Sequence, residues 1–287
     1  MQFRTDLALE ISESQGELKG LSHSVKKWND VQLNRMRIET EEAARAIGRD
    51  QGCYLTLEFP SLTDHGDHLE RYADILAEEL HNMLPQNGTV LVVGLGNRSI
   101  TPDTVGPKTA DKVLATRHIG QELKRSVGME DLRSTAVLSP GVTGQTGIET
   151  GELIAAVCKE TEASVVLAID ALAARSLSRL GCTVQMCDTG IAPGSGVGNN
   201  RQALNQQTLG IPVIGVGIPT VVDARTLAVD LTGCYDQELL EPHGTQMMIT
   251  PREIDLLTQR ASQLLALTIN KALQPNYPPL ELISLCE

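Results

Sequence analysis

The strongest constraint on the fold is an alternation of two patterns that begins at "CYLTLEFPSL", just after Gly52. Apolar runs of strand length alternate with amphipathic segments of helical length. The strand-like runs are "TVLVVGLG", "STAVLSP", "SVVLAIDAL", "TVQMCDTGI" and "IPVIGVGIP", and the helix-like segments include "HLERYADILAEELHNML", "DTVGPKTADKVLATRHI" and "TGIETGELIAAVCKET". This alternation predicts an α/β fold: a single large domain with a mostly parallel, twisted sheet and helices on both faces.

Composition supports this fold class and excludes several functions. The chain has 287 residues, of which 41% are hydrophobic and only 2% aromatic, so the core must be aliphatic, as buried parallel strands usually are. A formal net charge of -12 argues against direct binding to nucleic acid or to anionic lipid. The N-terminus lacks the pattern of a secretory signal, and no apolar run approaches the ~18 residues of a membrane helix. We therefore expect a cytoplasmic protein.

The two ends of the chain differ from its middle. Residues 1–51 are charged and weakly patterned, which predicts an N-terminal arm or peripheral segment outside the core, followed by the main domain over residues 52–287. Near the other end, "TPREIDLLTQRASQLLALTINKAL" predicts a final helix. Thr250 would be its N-cap, Pro251 its first helical residue, and Glu253 the second partner of a capping box.

Cysteine and histidine patterns give no metal or cofactor site. The six cysteines form no C-x-x-C pair, which favours free thiols over a disulfide or zinc framework: Cys53, Cys158, Cys182, Cys187, Cys234 and Cys286. "DHGDH", Asp64 to His68, has ligand-type residues, but its polar setting before a helix favours a solvated cap. No cysteine can be paired with a catalytic histidine, and no G-x-S-x-G elbow is present. We therefore assign no metal ligands and no cofactor.

The stretch "VLVVGLGNRSITPDTVGPKT", Val90 to Thr109, opens like a dinucleotide-binding motif. The third glycine of that motif is replaced by Ser99, and a Pro and an Asp stand where a helix should start. The stretch is thus either a degenerate nucleotide site or a loop that presents Asp103 for another purpose.

Two carboxylates follow strand-like runs and are the candidates for chemistry. Asp103 follows "TVLVVGLG" by a short loop, and Asp170 ends "SVVLAID". The carboxyl ends of parallel strands meet at one edge of the sheet, so the fold can bring both there. Two carboxyl groups in a poorly solvated site cannot both ionise easily, so one keeps a proton at neutral pH. Such a pair suits amide hydrolysis, because the ionised group can accept a proton from water while the protonated group polarises the carbonyl or protonates the leaving nitrogen. The alternative is that each aspartate only caps a following helix.

Two glycine-rich loops also follow strand-like runs. "SPGVTGQTGIETGE" spans Ser139 to Glu152, and "DTGIAPGSGVGNNR" spans Asp188 to Arg201. Such loops can hold an extended peptide or present N–H groups to a developing oxyanion, although turn formation alone also explains glycines. Neither contains a P-loop motif. Among the histidines, His243 in "EPHGTQMMITP" is the one in a plausible site-forming loop.

Four of these segments, taken in order, resemble the germination protease family: "GLGNRSITPDTVGPKT", "LSPGVTGQTGIETGE", "AIDALAARSLSRLG" and "DTGIAPGSGVGNNR". The similarity extends from "RTDLALE", which begins at residue 4, to the C-terminal helix. The resemblance implies an endopeptidase that degrades small acid-soluble spore proteins, with an aspartic-type mechanism and a fold related to the hydrogenase maturation endopeptidases. By motif, Asp103 and Asp170 are its catalytic residues. The G-L-G turn is then a strand-end loop that presents Asp103.

The resemblance also implies a homotetramer in the cytoplasm of the developing spore, the spore core. Members of the family resemble zymogens that remove a short segment ending before a sequence like "RTDLALE", and only Met1, Gln2 and Phe3 precede it here. Either the usual pro-segment is lacking or the chain is close to the mature form. Two other functions stay open: a metal-dependent, nickel-recognising maturation-type endopeptidase using Asp103, Asp170 and His243, and a catalytically silent peptide-binding protein.

Overall fold

The computed structural model describes residues 5–15, 18–64, 68–194, 202–233 and 247–277. Within these residues the α/β class is confirmed, with one large sheet and helices packed on both of its faces. The strands are β1 (Leu21–Trp28), β2 (Val31–Ile38), β3 (Gly52–Glu58), β4 (Thr89–Gly94), β5 (Thr135–Leu138), β6 (Ala163–Ala174), β7 (Thr183–Cys187), β8 (Val213–Asp223) and β9 (Met248–Ile249).

The helices vary from single turns to five turns. They are α1 (Ala8–Gln15), α2 (Glu41–Ile47), α3 (Leu69–Met83), α4 (Val105–Ala110), α5 (Gln121–Ser126), α6 (Thr143–Thr146), α7 (Thr150–Thr161), α8 (Gln206–Leu209), α9 (Ala224–Thr232) and α10 (Ile254–Leu273). No helix among the described residues combines the length and the apolar character needed to cross a bilayer.

The sheet is mixed rather than mostly parallel, which corrects the sequence prediction. Its strand order is β1-β2-β3-β7-β8-β6-β4-β5, and β9 pairs with the end of β8. The neighbours among β5, β4, β6 and β8 are parallel, whereas β1, β2, β3 and β7 run antiparallel to their neighbours, as β9 does to β8. An apolar run such as "TVQMCDTGI" reads the same in either direction, so the sequence pattern could not fix the direction of β7.

The core is aliphatic and lies on both faces of the sheet. Along β4, Val90 and Val92 pack towards α3, α4 and α10, whereas Leu91 and Val93 pack towards α7. Helices α1 and α2 cover a third cluster over β2 and β3. The expectation that everything before Gly52 lies outside the core is wrong for β2, because Val31 and Leu33 belong to the main cluster. The domain boundary between residues 51 and 52 stays a prediction.

The final helix begins later than the sequence predicts. Helix α10 starts at Ile254 with Glu253 as N-cap, and no side chain there makes a capping hydrogen bond. Thr250 directly follows β9, whose pairing with β8 holds the chain extended up to this point. The predicted capping box of Thr250, Pro251 and Glu253 is therefore wrong, because the tertiary pairing of β9 overrides the local cap signal.

A close contact between two glycines places α4 on the ends of β4 and β6. A Cβ added to Gly94 would overlap the carbonyl group of Gly106 in the first turn of α4. A Cβ on Gly106 would in turn overlap the carbonyl oxygens of Leu95 and Ile169. Helix and strand can approach this closely only because both residues lack a side chain.

The N-terminal segment before α1 is bound to the sheet by backbone contacts. The side chain of Gln185 on β7 accepts a hydrogen bond from the Ala8 N–H at 2.7 Å and donates to the Asp6 carbonyl at 3.0 Å. Leu7 is fully buried against residues of β6 and β8, among them Leu172 and Val222. This segment is therefore an integral part of the fold beside the end of β6.

The glycine contact predicts a specific stability difference. Gly106→Ala should destabilise the protein by about 1–3 kcal/mol, because the new methyl group overlaps two backbone carbonyls that cannot move independently. The matched control is Gly144→Ala, at an exposed position inside α6 where an added Cβ meets nothing within 4 Å, so its Tm should stay near that of the wild type or rise slightly. Thermal unfolding of the three proteins measures this, and equal Tm values for the two variants would contradict the packing argument.

A second prediction concerns the N-terminal segment. Gln185→Ala removes the partners of the Ala8 N–H and of the Asp6 carbonyl, and an unsatisfied buried group costs about 1–3 kcal/mol. Hydrogen exchange should accelerate in residues 5–12, while the exposed control Gln207→Ala leaves it unchanged. Unchanged exchange in the Gln185 variant would mean that other contacts suffice to hold the segment.

Candidate active site

Strand β6 extends beyond its neighbour β4, and Asp170 lies where the two separate. Pairing between the strands ends at Gly94 and Ile169, followed by one more hydrogen bond from the Leu95 N–H to the Ile169 carbonyl at 2.8 Å. Strand β6 continues through Asp170 to Ala174. The sequence placed Asp170 at the end of its strand, but four further strand residues follow. Asp170 cannot cap a helix at that position, so the capping alternative fails for this residue.

Asp103 is the last residue of a short 3₁₀ turn, Thr101–Asp103, in the loop between β4 and α4. Its Oδ2 accepts a hydrogen bond from the Asn97 N–H at 2.8 Å. The N-cap of α4 is Thr104, so Asp103 does not occupy the capping position of this helix. Gly96, the second glycine of G-L-G, has φ +122° and lies so close that a Cβ would overlap the Asp103 carbonyl. The glycine thus lets the loop fold back on Asp103.

The two predicted aspartates line the same cleft at this edge of the sheet. The cleft has a volume of about 440 Å³, and both glycine-rich loops reach it through Gly141, Val142 and Gly194. Residues 195–201 of the second loop lie outside the described part of the chain, as does His243. The structure therefore brings together the side chains and loops that the sequence singled out, and the catalytic role of Asp103 and Asp170 stays a prediction.

Asp170 occupies the junction of two hollows. Its side chain is buried, with 5% of the residue exposed, and its Oδ1 accepts a hydrogen bond from the next residue's N–H, that of Ala171, at 2.9 Å. A second hollow of about 420 Å³ is also lined by Asp170 and continues over Gly215 and Gly217 of β8 towards Arg49. Because Asp170 borders both hollows, a chain running through both would pass its carboxylate.

A third carboxylate, Asp6, lines both hollows and was missed by the sequence reasoning. The Asp6 N–H donates to the Ala173 carbonyl at 2.9 Å, and the Ala173 N–H donates to Asp6 Oδ2 at 2.8 Å. Nothing in the local pattern marks Asp6, because its neighbours are an ordinary mix of polar and apolar residues. Its place in "RTDLALE", the first segment of the family resemblance, is the signal that could have identified it.

Hydrogen bonds join the Asp103 loop to the first glycine-rich loop. The side-chain oxygen of Asn97 accepts from the Ser99 N–H at 2.9 Å and from Gln145 Nε2 at 3.0 Å. Beside this loop, Arg98 makes a two-pronged ion pair with Asp111, at 2.7 Å for each bond, which lowers the pKa of the Asp111 carboxyl. The backbone around Asp103 is thus braced from two sides.

Burial works against a nucleophilic role for the described thiols. Four cysteines are free, as predicted, and burial raises the pKa of each: Cys53, Cys158, Cys182 and Cys187. A raised thiol pKa keeps sulfur protonated near neutral pH, which is the opposite of what a cysteine nucleophile needs. Cys187 in the second hollow instead donates its S–H to the Gly190 carbonyl at 3.0 Å. Cys234 and Cys286 lie outside the described residues.

Among the residues that the structure describes, no cluster of three or more His, Cys, Asp or Glu side chains is arranged to hold a metal ion. The "DHGDH" segment is only partly described: residues 65–67 lie outside, and His68 is the N-cap residue of α3, without a side-chain capping bond.

Comparison with known proteins identifies the family. The sequence profile of the germination protease family matches residues 3–235. The germination proteases of Clostridium perfringens and Caldanaerobacter subterraneus subsp. tengcongensis are 37% and 38% identical and cover 95% of this chain, with 95% and 94% of their own lengths matched. That of Priestia megaterium is 42% identical over 79% of this chain and 65% of its own length.

Among solved structures, a [NiFe] hydrogenase maturation protease, HycI from Thermococcus kodakarensis, is similar at a TM-score of 0.39 and 17% identity, covering 68% of this chain and 99% of its own. The family assignment follows from the sequence relatives alone, which match nearly the whole chain at well over 30% identity. On that basis, the chain belongs to the germination protease family, and it is a peptidase.

Proposed function

We propose that this chain is the endopeptidase that begins the degradation of small acid-soluble spore proteins during germination, and that Asp103 and Asp170 activate water in an aspartic-type mechanism. The observation that carries the proposal is that both aspartates line one cleft, although 67 residues separate them in the sequence (170 − 103). Membership of the germination protease family supports the spore setting and the choice of substrate.

The chemistry needs only the two carboxyl groups and one water. One carboxylate accepts a proton from the water as its oxygen adds to the carbonyl carbon of the scissile amide. The other carboxyl group, protonated at the start, donates its proton to the amide nitrogen as the C–N bond breaks, giving a carboxylic acid and an amine. The pair ends with one proton between the two groups, as it began, with the roles exchanged.

Several features of the site suit a peptide substrate. The cleft is lined by glycines of the Asp103 loop and of the first glycine-rich loop, Gly96, Gly141 and Gly151, which allow another backbone to approach closely. Its apolar lining residues, among them Leu95 and Val142, lower the local dielectric around the carboxylates. We further propose a homotetramer in the spore cytoplasm, on the basis of the family resemblance.

The carboxylate pair predicts a loss of activity without loss of the fold. Asp103→Asn and Asp170→Asn should each lower the rate of cleavage of small acid-soluble spore proteins by ~10²-fold or more, because the amide cannot exchange a proton with water. The hydrogen bonds from the Asn97 and Ala171 N–H groups survive, since Asn also offers a side-chain oxygen. Tm should stay near or above that of the wild type.

The matched control is Asp74→Asn, which removes an exposed carboxylate on α3 that pairs with Lys271, away from the cleft. It should retain wild-type activity. If either cleft variant is folded and still cleaves at the wild-type rate, that residue leaves the catalytic assignment.

Chelation separates this proposal from a metal-dependent or nickel-recognising endopeptidase. Cleavage should continue unchanged after dialysis against EDTA, because the proposed mechanism uses only carboxyl groups and water. Activity that disappears with chelator and returns with nickel would overturn the aspartic mechanism in favour of the metal-dependent one. Binding of the spore proteins without any cleavage would instead indicate a catalytically silent binding protein.

A further inference from the structure

The part of β6 beyond β4 has a backbone edge that faces the cleft. Successive residues of a strand direct their N–H and C=O groups to opposite sides, so alternate residues face the same neighbour. The Ile169 carbonyl faces β4, since it accepts from the Leu95 N–H. Ala171 and Ala173 therefore direct their backbone groups to the same side, where β4 has already ended.

At Ala173 this edge is already paired with the N-terminal segment, through Asp6 at a bend shortly before α1. The Asp6 N–H donates to the Ala173 carbonyl, and Asp6 Oδ2 accepts from the Ala173 N–H. Asp6 thus occupies the position that the next residue of an added strand would take. The contact shows that a segment from outside the sheet can pair with the backbone of β6 on this edge.

Ala171 lies between these two paired positions. Its N–H donates to the carboxylate of the preceding residue, Asp170. By the alternation along β6 its carbonyl faces away from β8, and among the described loop residues none donates a backbone N–H to it. From Ile169 to Ala173 the edge spans four residues, roughly 13 Å at the rise of a strand. The cleft of about 440 Å³ lies beside this gap, with Ala171 and Ala173 in its wall.

We propose that an extended segment of the substrate pairs with β6 at Ala171, as a short added strand between Leu95 and Asp6. This inference rests on the proposed peptidase function and specifies how that site holds its substrate. A substrate N–H donates to the Ala171 carbonyl, and a substrate carbonyl accepts from the Ala171 N–H. Backbone pairing of this kind positions a peptide regardless of its side chains. Specificity for particular substrate side chains then comes from the residues that line the two hollows.

The pairing also links binding to the candidate chemistry. When a substrate carbonyl takes the Ala171 N–H, that N–H exchanges its bond with Asp170 Oδ1 for one with the substrate. The carboxylate oxygen loses a donor just as a peptide bond arrives beside it. Because a hydrogen bond to a carboxylate stabilises its charged form, the exchange makes that oxygen a better proton acceptor. Asp170 is thereby activated by the substrate's own backbone.

Amide-to-ester substitution in a peptide substrate tests the pairing. The probe is a synthetic peptide spanning a cleavage site mapped on a small acid-soluble spore protein, with single esters placed at each position except the scissile bond. An ester removes one N–H and keeps the backbone shape. One ester should lower kcat/KM about tenfold or more, as expected for losing one hydrogen bond, while its two neighbours change kcat/KM by less than about threefold, since they face away from β6.

Pairing of the substrate with the Ala171 backbone is observed directly by NMR of the protein, which does not require cleavage. Protein carrying Asp103→Asn and ¹⁵N-labelled alanine is titrated with the same peptide, or with the intact spore protein if no cleavage site is found. The Ala171 amide, assigned from its absence in an Ala171→Gly sample, should show one of the largest shifts among the alanine signals. The Ala261 amide, buried in α10, serves as the control and should not move.

Strand addition at Ala171 and the proposed catalytic function can be overturned separately. If the wild-type protein cleaves the peptide but all esters are tolerated, or the Ala171 amide does not move on binding, strand addition at Ala171 is overturned and the peptidase proposal stands. If the protein binds with the Ala171 shift yet cleaves nothing, strand addition stands and the proposed catalytic function is overturned.

Discussion

The site depends on the unequal lengths of two neighbouring parallel strands. Strand β4 stops at Gly94 while β6 continues to Ala174, so a step forms at the edge of the sheet. The chain leaving β4 turns over this step, and the contact of Gly94 with Gly106 sets α4 directly on the strand ends. That close packing places the loop carrying Asp103 against the stretch of β6 that carries Asp170. A side chain at either glycine would hold the two apart.

The step also explains why the N-terminal segment belongs to the site. The extended edge of β6 has backbone groups that need partners, and Asp6 satisfies those of Ala173. Gln185 and the buried Leu7 hold that segment in place. The cleft is thus lined in part by residues far away in the sequence, and Ala171 lies in its wall next to the buried carboxylate of Asp170.

The sequence was a good guide where the physical signal is local. Apolar runs located β4, β6 and β8, although β6 and β8 continue to Ala174 and Asp223, beyond their predicted ends, and the buried setting of Asp170 followed from the run that contains it. It was a poor guide where partners come from elsewhere. The charged, half-exposed pattern of β1 and β2 hid a hairpin that extends the sheet, because the pattern reports solvent exposure and not pairing.

The sequence by itself determined the α/β class, the aliphatic core and the family, since each follows from periodicity, composition or a continuous motif, and it singled out the two aspartates that line one cleft. Only the tertiary structure decided the mixed direction of the strands, the late start of α10 at Ile254, and the arrival of Asp6 in the cleft. Those features arise from hydrogen bonds between segments distant in the chain, and such bonds leave no trace in the local order of residues.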